Sequence, residues 1–185
     1  MSYSMHVIEE LMMDNWAQFH GEVMPDGRHF EPSETFNGVI EGLQNELKFT
    51  MLIDCGAGEG HVAKALKAHG IKCAACDIIR RECHVGVEVQ IIPAHKMPLD
   101  ENIWPLVCRP DHSGWCGALF QRAMRMGSGF LYAGHVEKMV HDVTEMEPAT
   151  IYEGVGKDRE VLAVWEPIPD LEEYLQENEP GYMPL

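Results

Sequence analysis

Residues 52–60 read Leu-Ile-Asp-Cys-Gly-Ala-Gly-Glu-Gly, an apolar run that delivers an acid, Asp54, into three glycines at alternate positions, Gly56, Gly58 and Gly60. Glycines in that pattern let a chain turn sharply and bring bare backbone against a ligand, where any Cβ would collide. A second acid, Asp77, closes the next apolar run, Lys72-Cys-Ala-Ala-Cys-Asp-Ile78. A carboxylate there can take both hydroxyls of a ribose with two hydrogen bonds. Together they suit a nucleoside-bearing ligand laid over the turn.

The elements that must position these groups follow from periodicity. Short apolar runs at 50–55, 72–78, 87–92, 103–108 and 129–134 alternate with helical stretches, the pattern of βαβ units and a mostly parallel sheet. The last two runs, 149–154 and 160–166, are joined only by Val-Gly-Lys-Asp-Arg. That link is too short for a crossover, so the two strands form an antiparallel hairpin at the far end of the sheet. Ser33 is placed to cap a helix through Asn37–Leu47 that ends near Lys48. The expected fold is a three-layer α/β Rossmann-like sandwich, seven strands with the last antiparallel. Residues 1–48 are read as an N-terminal helical segment or lid, 49–166 as the ligand-binding domain, and 167–185 as an acidic, proline-containing tail.

In this order of elements, and in Asp54, Gly56, Gly58, Gly60 and Asp77, residues 50–166 resemble the class I S-adenosylmethionine-dependent methyltransferases. That family carries acid-x-Gly-x-Gly-x-Gly after its first strand, an acid ending its second, and a terminal antiparallel hairpin. The resemblance implies that Asp54, Gly56, Ala57, Gly58 and Gly60 cradle the methionine end of S-adenosylmethionine. It implies that Asp77, with Ile78, holds the ribose, that Ala94 and His95 flank the adenine, and that Cys108 to His112 face the methyl group and its acceptor.

The match departs from the family after the fourth strand. Where amino-directed members carry Asn- or Asp-Pro-Pro-aromatic, this chain reads Cys108-Arg109-Pro110-Asp111-His112-Ser113-Gly114-Trp115. A cation near a sulfonium is unfavourable unless it is paired or turned away, and Asp111 is placed to pair with Arg109. His112 has the side chain of a general base at neutral pH. Against that, Asp111 or Ser113 can simply cap the next helix. The candidate catalytic residues are His112, Asp111 and Arg109. Gly58-x-Gly60-x-x-Ala63 also fits the dinucleotide fingerprint, so an NAD(P)-dependent oxidoreductase is an alternative. Asp54 argues against it, because a carboxylate at that turn repels pyrophosphate and welcomes an ammonium. A catalytically silent domain that binds the cofactor or a partner protein is the third reading.

Composition limits the partners. The chain has 185 residues, 30 acids against 14 Lys plus Arg, and a formal charge of −16. Such a surface repels phosphate backbones, so a small molecule or a protein is the expected acceptor rather than nucleic acid. No run is long and apolar enough to span a bilayer and the N-terminus lacks the pattern of a secretory signal, which points to the cytoplasm. The six cysteines read as reduced thiols. Cys73, Cys76, Cys83 and His84 invite a zinc reading, but cysteines three apart on a strand face opposite ways, so no metal is expected. Trp16 and Phe19, at helical spacing near the N-terminus, are candidates for a lid over the site.

Overall fold

The computed structural model describes residues 30–80, 85–110, 114–156 and 160–169. The expected helix over 5–20, Trp16, Phe19, Cys83, His84, Asp111, His112, Ser113 and the tail beyond Pro169 lie outside them.

Seven strands form one sheet: β1 (Met51–Cys55), β2 (Cys73–Asp77), β3 (Val89–Ile91), β4 (Ile103–Cys108), β5 (Phe130–Gly134), β6 (Thr150–Glu153) and β7 (Val161–Trp165). Their order is β3-β2-β1-β4-β5-β7-β6. β1 to β5 pair in parallel, with Leu52 opposite Cys73 and Trp104, while β7 runs antiparallel to both β5 and β6. The hairpin expected from the short 155–159 link is therefore present, with β7 inserted between β5 and β6.

Alternate side chains of each strand enter two cores, one on each face. Leu52, Ala75, Leu106, Leu131 and Leu162 face α1 (Glu34–Leu47) and α2 (His61–Ala68). Ile53, Cys76, Val107, Tyr132 and Ala163 face α3 (Trp115–Arg125) and α4 (Val136–Asp142). Strands covered on both sides must be apolar throughout, which is why their runs do not alternate with polar residues. This is the three-layer Rossmann-like sandwich.

α1 begins where the sequence places it. Ser33 Oγ accepts from the Phe36 amide at 3.0 Å and donates to the Val155 carbonyl at 2.6 Å, tying the helix start to the β6–β7 connection. Its buried stripe of Phe36, Ile40 and Leu43 belongs to the same core as Leu52 and Leu66. Burial of each such side chain stabilises by about 1.5–3 kcal/mol. Cys73 and Cys76 pack into opposite cores, as their spacing requires. Among the described residues, five cysteines are free thiols and no cluster of three potential metal ligands forms. No described helix is long and apolar enough to cross a membrane.

Candidate functional site

The chain passes from β3 to β4 across β1 and β2, so the sheet order reverses between β1 and β4. A crevice opens outside the carboxyl ends of the strands at such a point, and open α/β sheets bind their ligands there. Cys55, Asp77 and Cys108 end β1, β2 and β4 at that rim, and the glycine turn lies over it.

The turn needs its glycines for separable reasons. Gly56, Gly58 and Gly60 have φ of 73°, 57° and 87°, left-handed conformations that side chains disfavour. A Cβ on Gly60 would also run into Val87, so this glycine is required by packing beneath the turn. Gly56, by contrast, presents exposed backbone. The amides of Gly56 and Ala57 both donate to the Cys76 carbonyl, at 2.9 and 3.0 Å, stitching the turn to the end of β2.

Both acids of the motif brace this turn. Asp77 is buried; its Oδ2 accepts from the Gly58 amide at 2.8 Å and its Oδ1 from the Ile79 amide at 2.9 Å. Each carboxylate oxygen has capacity for a further bond, so the group can still take hydroxyls from a ligand. Asp54 is 1% exposed, and its Oδ2 accepts from the Ala63 amide at 3.3 Å. That amide is an orphan donor of the first turn of α2, whose N-cap Gly60 has no side chain to offer. Burial raises the Asp54 carboxyl to about pH 7, the Ala63 amide opposing and the nearby Asp77 adding to the shift.

Ile78, Ala94 and His95 are half-buried along the same rim, Ala94 and His95 in a single 3₁₀ turn at Ala94–Lys96 after β3. Cys108 is half-buried at the end of β4, and burial raises its thiol well above the ordinary range. Arg109 follows with φ 46°, a left-handed conformation costly for a residue that also precedes proline. Its amide donates to the Ala133 carbonyl at 2.8 Å. Its guanidinium pairs with Glu160, which is completely buried just before β7. Among the described residues Arg109 thus has a partner in an acid from the far hairpin, which sequence reasoning missed; the expected pairing with Asp111 lies outside them. Glu160 reads locally as the polar first residue of a strand. The signal that could have found it is topological: β7 runs against β5, bringing its start to the carboxyl rim.

No family model and no curated protein matches the chain. Solved structures do resemble it. An Escherichia coli protein provisionally described as the methyltransferase yhhF is 13% identical with a TM-score of 0.49, covering 79% of this chain and 92% of its own. Magnesium protoporphyrin IX methyltransferase of Synechocystis, with bound S-adenosylmethionine, is 10% identical with a TM-score of 0.45, covering 87% and 96%. The Thermus thermophilus 16S rRNA N2 G1207 methyltransferase, with S-adenosylmethionine and guanosine, is 14% identical with a TM-score of 0.45, covering 81% and 45%. The strand order itself, rather than these likenesses, gives the chain the Rossmann-like architecture with a reversed β7 that the resemblance implied.

Proposed function

We propose that the chain is an S-adenosylmethionine-dependent methyltransferase acting on a small-molecule or protein acceptor. One observation carries the reading: an acid-braced turn of left-handed glycines stands beside Asp77 at the switch point of a sheet whose seventh strand is reversed. A dinucleotide site fits less well. Doubly wound dinucleotide folds continue 3-2-1-4-5-6 in parallel. They also bring pyrophosphate to the helix start after β1, and here the buried carboxyl of Asp54 already occupies that helix start.

The exposed backbone at Gly56, with Ala57 and Gly58, holds the methionine end of the cofactor, Asp77 and Ile78 the ribose, and Ala94 and His95 the adenine. When bound, the cofactor supplies an electrophilic methyl group on a sulfonium. Cys108 and Arg109 stand at the end of β4 where the acceptor enters, with Asp111 and His112 following in the chain. His112 takes the acceptor's proton, and Asp111 orients it. Because Glu160 offsets the Arg109 charge, the guanidinium does not oppose a sulfonium as an unpaired cation would. The chain's charge of −16 favours a small or protein acceptor over nucleic acid.

The reading is tested by incubating the chain with methyl-labelled S-adenosylmethionine and either small-molecule pools or cell lysate. Label should enter an acceptor, and His112→Ala should cut the rate about 10²–10⁴-fold, the range for a lost general base. Tight cofactor binding with no label transferred to any pool would instead support a silent cofactor-binding domain.

A further inference from the structure

Two buried carboxylates flank the glycine turn, and their hydrogen bonds are unequal. Asp77 is 8% exposed and accepts from the Gly58 and Ile79 amides at 2.8 and 2.9 Å. Asp54 is 1% exposed and, among the described residues, accepts from the Ala63 amide alone, at 3.3 Å. Amides bonded to a carboxylate favour its charged form, and one buried negative charge disfavours a second beside it. Asp54 is therefore the acid of the two that keeps a proton. Its carboxyl is raised to about 7, chiefly by burial, with the Ala63 amide opposing and Asp77 adding to the shift.

The surroundings supply no positive charge to offset this. No cation among the described residues pairs with either acid. On α2, whose first turn rests on Asp54, the charged residues His61, Lys64 and Lys67 are exposed, and His61 lies 3.1 Å from Glu59 in the turn. The titratable neighbours from β1, β2 and β4 are the thiols of Cys55, Cys73 and Cys108. A bond to Cys76 raises the Cys55 thiol and burial raises the other two, so all three are neutral near pH 7. A buried acid so placed ionises when a ligand brings the missing cation.

We propose that the cofactor binds in exchange for the Asp54 proton, its methionine ammonium bringing the positive charge that this buried carboxyl lacks. This rests on the cofactor reading above. The proton passes from the Asp54 carboxyl to solvent as the ammonium arrives, and returns when the ligand leaves. Cofactor occupancy therefore rises with pH through neutrality, which makes the turn a proton-linked site. A ligand with the same adenosyl group but no ammonium gives Asp54 no reason to ionise.

The test is a calorimetric titration of the full chain in two buffers of unequal ionisation enthalpy, which counts the protons released on binding. With S-adenosylhomocysteine at pH 6 the parent should release about one proton per ligand, and its Kd should be about 10-fold larger at pH 6 than at pH 8. 5′-Methylthioadenosine, which lacks the amino-acid end, should bind without releasing a proton and without that pH dependence; this arm needs no variant. Asp54→Asn should bind S-adenosylhomocysteine with no proton released, whereas His61 is still present in that variant. Binding of S-adenosylhomocysteine to the parent without proton release would overturn this inference alone. So would release that persists in Asp54→Asn or is matched by 5′-methylthioadenosine. A parent chain that binds neither adenosyl ligand would overturn both this inference and the cofactor reading.

Discussion

Arg109 at the end of β4 and Glu160 at the start of β7, 51 residues apart, form an ion pair across the carboxyl rim of the sheet. The Glu160 side chain is 1% exposed and that of Arg109 18%, so the pair is largely desolvated. A Cβ on Gly156 would strike the Glu160 side chain, so the hairpin is shaped around this carboxylate. The pair bridges the end of β4 to the start of β7, at the residue whose backbone is left-handed.

Removing one partner of a buried pair leaves the other charge uncompensated and costs about 3–5 kcal/mol. Glu160→Leu should therefore lower the unfolding free energy by about that amount in denaturant titration, while the double variant Arg109→Met, Glu160→Leu recovers most of it. Losses below about 1 kcal/mol in the single variants, the level of a solvated surface pair, would show that the contact does not hold the rim together.

The Asp54 carboxyl, raised from 3.8 to about 7 mainly by burial, sets a pH dependence with a definite sign. Between these values the folded chain keeps a proton that the unfolded chain has lost. Stability from this group is therefore complete below pH 3.8 and is lost as pH rises through 7. The span amounts to about 4 kcal/mol. Asp54→Asn should flatten this part of the stability curve, read as melting temperature between pH 4 and 8. A parent and variant with the same pH profile would mean that Asp54 is ionised throughout.

Asp77 braces Gly58 and, in the proposed function, also holds the ribose. Asp77→Ala should weaken cofactor binding about 30- to 150-fold, corresponding to about 2–3 kcal/mol for a lost charge-assisted pair. Asp77→Asn keeps an oxygen for the Gly58 amide but not the charge, so it should fall between parent and alanine variant. Equal affinities in all three folded chains would remove Asp77 from the site.

Much of this was legible in the sequence because it is local. The apolar run at 103–108 is β4 itself, the Ser33 cap begins α1, and the short link after Gly154 dictated the antiparallel hairpin. The third strand is shorter than its run: Val87 packs under Gly60, and pairing with β2 covers only Val89–Ile91. Asp54 and Asp77 stand at the glycine turn as expected. That each is bonded to a backbone amide of the turn or its helix is a consequence of three-dimensional closure, which spacing does not encode. Glu160 was hidden for the same reason, since it reaches the site through a reversed strand.

The central claim is that the turn from Asp54 to Gly60, with Asp77, holds an adenosyl cofactor rather than a nicotinamide dinucleotide. Isothermal titration of the full chain with S-adenosylhomocysteine, repeated with NADH, addresses it directly. The account expects saturable binding of S-adenosylhomocysteine at one site per chain and no saturable heat from NADH. Saturable binding of NADH with none of S-adenosylhomocysteine would contradict it.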